Sequence, residues 1–211
     1  MRPFPSGLYA LTPYETDTSV LLTRVRAALA GGTTAVQYRN KIATGAVKAE
    51  QAAALVELCR KAGVPLIVND DLALALRVGA DGVHLGRDDG DLVAARERLG
   101  RNRLLGASCY DQLDLALRAA AAGADYVGFG SVFASRTKPE AVRAPLDLFA
   151  VARRRVAIPI VAIGGITIEN APQVIAAGAD AIAVITALFE AHDVEARARA
   201  FQRLFGRLTT I

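Results

Sequence analysis

The 211-residue sequence predicts an α/β fold, a (β/α)8 TIM barrel that forms a single domain over residues 1–211. Three observations predict it. Short apolar runs alternate with longer Ala/Leu-rich helical patterns from end to end, an order that calls for a parallel sheet with helices outside it. About eight such units fit the length, and eight parallel strands close a barrel. A punctuation also recurs: AGGTTAVQY (30–38), VGADGVHL (78–85), AGADYVGF (122–129) and AGADAIAV (177–184). Each ends a helix on a glycine able to take the left-handed cap and begins a strand within a few residues. An open doubly wound sheet is the alternative, but it needs a Gly-rich turn after the first strand, and LYALTPYE (8–15) has none.

Taken in order, the strands read as GLYAL (7–11), TAVQYR (34–39), PLIVN (65–69), GVHLG (82–86), LLGAS (104–108), YVGFG (126–130), PIVAIGG (159–165) and AIAVIT (181–186). Helical patterns fill 18–30, 48–62, 71–78, 90–98, 111–121, 146–154, 170–177 and 193–205. Asp71 and Asp91 suit helix N-caps, and Asn170 or Thr167 suits a cap after the seventh strand. No linker or low-complexity segment divides the chain.

At 53% apolar and 22% charged residues, the composition supports one sizeable core. No apolar run approaches the roughly 18 residues of a membrane span, and MRPFPSGLYAL lacks a signal-peptide core, so a cytoplasmic protein without membrane association is expected. Cys59 and Cys109 show no paired spacing and read as reduced thiols. Net charge is +4 with a pI near 9.3. The basic residues are scattered and not interleaved with aromatics, which argues against nucleic acid and for a small anionic substrate. The run Arg153-Arg154-Arg155 reads as a solvated helix end. Lysine occurs four times; Lys48 and Lys61 fall on helical patterns, whereas Lys41 and Lys138 fall in unusual segments. Association into a homo-oligomer stays open.

In such a barrel the site forms at the carboxyl ends of the strands. Four strand ends stand out. VQYRNK (36–41) puts Gln37, Arg39 and Lys41 on one strand face and turns Val36 and Tyr38 the other way. LIVNDD (66–71) runs from core residues into Asn69 and Asp70, and HLGRDD (84–89) ends with Asp88 and Asp89. Adjacent parallel strands lie about 4.8 Å apart, so carboxylates past two consecutive tips can share a small cation. Few protein oxygens, completed by water and phosphate, is the usual way Mg²⁺ is held at phosphate chemistry. The loop GFGSVFASRTKPEAVRAP (128–145) carries Ser135, Arg136, Thr137 and Lys138, two hydroxyls and two cations suited to an anion. Gly164-Gly165 offers free backbone amides ahead of a helix, and the eighth strand ends in Ile185-Thr186. His84, flanked by Val83 and Leu85, reads as a hydrogen-bonded interior residue, and His192 as surface. No nucleophile relay or dinucleotide fingerprint appears.

This ordered set, from VQYRNK through IVNDD, HLGRDD, GAS, SRTKP and IGGIT to Ile185-Thr186, resembles the thiamine phosphate synthase family. The resemblance implies a transferase of thiamine biosynthesis that joins 4-amino-2-methyl-5-hydroxymethylpyrimidine diphosphate to 4-methyl-5-(2-phosphoethyl)-thiazole, releasing pyrophosphate. It assigns Gln37, Tyr38, Arg39, Asn40, Lys41, Asn69, Ser108 and Lys138 to the pyrimidine diphosphate. It assigns Ser135, Arg136, Thr137, Gly165, Ile185 and Thr186 to the thiazole phosphate, and Asp70 and Asp89 to Mg²⁺. Arg39 and Lys138 would stabilise the leaving pyrophosphate. Two positions depart from the family pattern: Arg87 stands where Gln is common, and Ser135 where Thr is common. A thiazole phosphate isomerase on the same fold and a non-catalytic thiamine phosphate binder are the competing readings; VQYRNK and the two aspartates argue against the first, and ligand binding without turnover would favour the second.

Overall fold

The computed structural model describes residues 4–134 and 142–206. In chain order the elements are β1 (Gly7–Leu11), α1 (Thr18–Ala30), β2 (Ala35–Tyr38), α2 (Gly45–Ala62), β3 (Leu66–Asn69), α3 (Leu72–Val78), β4 (Gly82–Leu85) and α4 (Leu92–Leu99). Then follow β5 (Leu104–Tyr110), α5 (Leu113–Ala121), β6 (Tyr126–Gly130), α6 (Leu146–Arg153), β7 (Ile160–Ile163), α7 (Ala171–Ala176), β8 (Ala181–Val184), α8 (Thr186–Phe189) and α9 (Val194–Gly206). All strand pairs are parallel and β8 closes onto β1, so the sheet is a closed barrel and the open doubly wound alternative is excluded.

Strand alternation sorts the side chains into two cores. Leu8, Val36, Tyr38, Val68, Val83, Leu85 and Phe129 point outward against the helices. Tyr9, Leu11, Ala35, Ile67, Tyr126, Val161 and Ala183 fill the interior, where Phe4 closes the amino-terminal end by stacking on Tyr126 at a centroid distance of 3.9 Å. Period-two side-chain direction is thus what aims Gln37 inward while Tyr38 goes out.

The repeated Gly-Ala-Asp punctuation is a device for joining strands at their starts. Gly79, Gly123 and Gly178 take positive φ of 70°, 88° and 112°, turning the chain out of the preceding helix at little steric penalty. The aspartate that follows accepts an N–H from the start of the strand before it: Leu66 N to Asp81 at 2.9 Å, Leu105 N to Asp125 at 2.7 Å and Ile160 N to Asp180 at 2.7 Å. Arg96 pairs with Asp125, and Arg153 with Asp180.

Asp71 and Asp91 cap α3 and α4 through Leu74 N and Ala94 N. Cys59 and Cys109 are free and buried, and burial pushes both thiols up to about 12. Arg153, Arg154 and Arg155 are exposed, as a solvated helix end requires. Among the described residues no helix is long and apolar enough to cross a membrane.

Candidate active site

A cavity of about 690 Å³ opens at the carboxyl ends of the strands. Of the residues singled out in the sequence, Gln37, Arg39, Lys41, Asn69, Asp70, Asp89, Ser108, Gly165, Ile185 and Thr186 line it. Ser135, Arg136, Thr137 and Lys138 lie outside the described residues. The two ends of their loop are pinned to each other, Ser131 N donating to Val142 O at 3.0 Å and Ala144 N to Ser131 O at 3.0 Å.

Two side chains implied by the resemblance turn away from the cavity. Tyr38 is an outward strand residue whose hydroxyl donates to Gln51 Oε1 at 2.9 Å, between the sheet and α2. Asn40 is buried in the turn after β2. Its amide nitrogen donates to Glu15 O and Gln51 Oε1, and its Oδ1 accepts from Ile42 N and Ala43 N. Both brace the segment that presents Arg39 and Lys41. Beyond Tyr38 the strand has ended, so the path of this turn, and no strand alternation, brings Arg39 and Lys41 to the cavity.

The paired carboxylates meet as their strand positions require. Asn69 pairs with His84 in the β3–β4 register, and Asp70 N donates to His84 O at 2.8 Å. Asp70 has φ of 64°, a left-handed conformation that Asp tolerates better than most residues. Asp89 reaches back from the β4 loop, its Oδ2 accepting from Gly86 N at 2.8 Å. A Cβ on residue 86 would stand 2.8 Å from that oxygen, so glycine is what leaves it room. Burial, then a hydrogen bond to Asp89 and repulsion from its charge, hold the Asp70 carboxyl above the usual carboxylate range. Lys41 and Arg39 pull it the other way, with Lys41 Nζ 3.9 Å from Asp70 Oδ2. Two crowded carboxylates facing cations fit a small divalent ion, with the open side of the cavity available to water or phosphate oxygens. Among the described residues no third His, Cys, Asp or Glu joins them.

Arg39 donates to the Tyr14 hydroxyl and lies 5.2 Å above its ring. Arg87 sits 4.8 Å above the Tyr110 ring, also at the cavity wall. His84 is the interior residue expected, 4% exposed, and burial lowers it to about 4.

On the far side, Gly164 and Gly165 have φ of 97° and 64°. A Cβ at either would collide with Ser131 or with the Phe133 and Ala134 carbonyls, so both glycines are required for loop packing. The helix expected after them begins at Ala171 with Asn170 in its N-cap position, but the Asn170 side chain makes no cap hydrogen bond. Asn170 instead ties the turn, accepting from Thr167 N at 2.8 Å and donating to Gly165 O at 3.0 Å. Strand β8 ends at Val184, and Ile185-Thr186 opens the short α8, absent from the expected elements. Sequence reasoning also missed Tyr9, Tyr110, Ser131 and Arg197 in the wall. Inward alternation along GLYAL could have found Tyr9; Arg197 comes from α9 and carries no local signal.

Comparison with known proteins decides the family. Residues 8–188 match thiamine monophosphate synthase. The chain belongs to the thiamine monophosphate synthase family. It is 59% identical over 200 residues to thiamine-phosphate synthase of Methylobacillus flagellatus, covering 95% of each chain. It is 58% identical over 206 residues to that of Thiobacillus denitrificans, covering 98% of each. The solved structure of thiamine phosphate pyrophosphorylase from Pyrococcus furiosus superimposes with a TM-score of 0.85 at 37% identity, over 96% of both chains. The chain is accordingly a transferase of thiamine biosynthesis.

Proposed function

We propose that the protein transfers the 4-amino-2-methylpyrimidin-5-ylmethyl group from its diphosphate to the nitrogen of 4-methyl-5-(2-phosphoethyl)-thiazole, in a Mg²⁺-dependent, dissociative reaction. The observation that carries this reading is the carboxylate pair Asp70 and Asp89 facing Arg39 and Lys41 across one cavity. Asp70 and Asp89 would hold Mg²⁺, which when bound neutralises charge on the leaving pyrophosphate.

Arg39, Lys41 and Lys138 bind the diphosphate and stabilise the charge that grows as the bond from methylene carbon to oxygen breaks. The electron pair departs with pyrophosphate, and the aminopyrimidine ring delocalises the cation left on the methylene. The thiazole nitrogen then forms the new C–N bond with its own lone pair. That nitrogen carries no proton, so no general base is required, in keeping with a His84 that is buried and held neutral. Gln37, Asn69 and Ser108 orient the pyrimidine, while Ser135, Arg136, Thr137, Gly165, Ile185 and Thr186 hold the thiazole phosphate. Fixed charges in a cavity shielded from water act more strongly than in bulk solvent, which is the general source of such rate gains.

The test is incubation with both substrates, the product being identified by mass. Thiamine phosphate is expected to form with Mg²⁺, to be lost with EDTA and to return on Mg²⁺ addition. Undiminished turnover after chelation would overturn the metal-dependent reading.

A further inference from the structure

Five polar side chains from five strands are linked in a single file beneath the cavity. Gln37 Nε2 donates to the Tyr9 hydroxyl at 2.7 Å, and the Tyr9 and Tyr126 hydroxyls are 2.9 Å apart. The Tyr126 hydroxyl is 3.1 Å from His84 Nδ1, and His84 Nε2 is 2.8 Å from Ser108 Oγ. Gln37 and Ser108, the two ends, line the cavity, as do Tyr9 and His84, with Tyr126 behind them. We propose that Tyr9, Tyr126 and His84 are positioning residues, a one-way hydrogen-bond relay that presents Gln37 as acceptor and Ser108 as donor and thereby selects an aminopyrimidine edge over its oxo counterpart. This rests on the reading of Gln37 and Ser108 as pyrimidine contacts.

With the Gln37 amide nitrogen turned toward Tyr9, the direction follows from counting protons. Each phenol has one proton to give and a neutral imidazole has one. With the Gln37 amide nitrogen donating to Tyr9, the Tyr9 proton has Tyr126 as its partner. Tyr126 then gives its own proton to His84 Nδ1. The imidazole proton must therefore sit on Nε2 and point at Ser108 Oγ, which frees the Ser108 proton to point into the cavity. If Tyr126 instead donated to Tyr9, the Tyr9 proton would be stranded on a side chain only 1% exposed. An unpaired buried hydroxyl is strongly disfavoured, and no buried side-chain nitrogen or oxygen among the described residues lacks a partner. Reversing the whole file requires the Gln37 amide to turn over, so the two ends always show opposite polarity.

The sequence makes room for this file. A Cβ on Gly106 would stand 2.4 Å from the Tyr126 hydroxyl oxygen and 2.6 Å from His84 Nδ1, so a glycine in β5 is what lets them meet. Phe4 packs on both tyrosine rings, at centroid distances of 5.0 Å from Tyr9 and 3.9 Å from Tyr126. A 4-aminopyrimidine offers an amino donor to the Gln37 oxygen and a ring nitrogen acceptor to the Ser108 hydroxyl. The 4-oxo compound offers the reverse pattern and meets both ends with the wrong polarity.

The experiment measures binding rather than turnover, because the oxo group would also weaken the chemistry. Wild type, Tyr126→Phe and Tyr9→Phe are titrated calorimetrically with 4-amino-5-hydroxymethyl-2-methylpyrimidine, with its 4-oxo counterpart and with the thiazole phosphate. Wild type is expected to prefer the amino compound by about tenfold or more, the scale of one misdirected hydrogen bond. Each variant keeps its ring packing and should bring the ratio toward one, and Tyr126→Phe, outside the cavity wall, should leave thiazole phosphate affinity unchanged. In parallel, the imidazole ¹⁵N spectrum is expected to show His84 as the Nε2–H tautomer, distinguishable from the exposed His192, the second of the two histidines. A ratio unchanged in both variants, equal weakening of both pyrimidines, or an Nδ1–H tautomer would overturn the relay. Failure of wild type to bind either pyrimidine would overturn the underlying assignment of the pyrimidine site instead.

Discussion

At the amino-terminal end of the barrel Asp125 is matched: its carboxylate accepts the Leu105 N–H and pairs with Arg96, with side-chain exposures of 14% and 16%. At the carboxyl-terminal end Asp70 and Asp89 crowd each other, with Lys41 no nearer to Asp70 than 3.9 Å. Both ends place aspartates just outside strands, yet one pairs closely with an arginine and a backbone N–H while the other crowds a second carboxylate. What differs is the company each carboxylate keeps. Charges matched within the fold contribute to stability, while a crowded like-charge pair is destabilising until a cation arrives.

The comparison can be broken most severely at the mouth. Asp89→Ala is expected to reduce kcat by orders of magnitude, on the order of 3 to 4 kcal/mol of transition-state stabilisation, with thermal stability unchanged or slightly raised because repulsion on Asp70 is relieved. Steady-state kinetics beside a thermal melt checks it, and a large drop in melting temperature with normal kcat would contradict the contrast. The reverse signature is expected at the other end. Asp125→Ala removes the carboxylate from the mostly buried Arg96 guanidinium, which keeps only its backbone carbonyl partners, and from the Leu105 N–H, so about 3 kcal/mol of stability should be lost in denaturant titration, with little change in kcat. Asp180→Ala sharpens the point with a smaller effect. Its pair with Arg153 is 33% and 41% exposed on the two sides, so solvent already screens it, and about 1 kcal/mol is expected, chiefly from the Ile160 N–H. A larger loss at Asp180 than at Asp125 would show that burial is not what ranks these staples.

How far the site was legible in the sequence varies with the residue. Asp70, Asp89, Gln37, Arg39 and Lys41 were visible because polar residues immediately after apolar runs mark strand tips, and strand tips are where a barrel's cavity forms. Tyr38 and Asn40 were grouped with them by the family motif. The fold sends Tyr38 outward by alternation and turns Asn40 inward to the backbone, because that turn has amides and carbonyls to satisfy. The glycine pair at 164–165 was legible as special, but its physical cause, close passage of the 131–134 loop, is a long-range contact that no local pattern records. Short α8 was hidden for the same reason: four residues carry no helical period.

By itself the sequence determined the number of strands, their parallel order and the glycine caps that end the helices, because these depend on periodicity of two and 3.6 and on local cap chemistry. It also marked which end of the barrel carries unmatched charge. Only the tertiary structure decided that Gln37, Tyr9, Tyr126, His84 and Ser108, from five separate strands, share one line of hydrogen bonds. Closure of the barrel brings them within reach, and the reason lies in geometry: hydrogen bonds form between neighbours in space, and in a parallel barrel such neighbours are set by register and curvature across strands far apart in the chain.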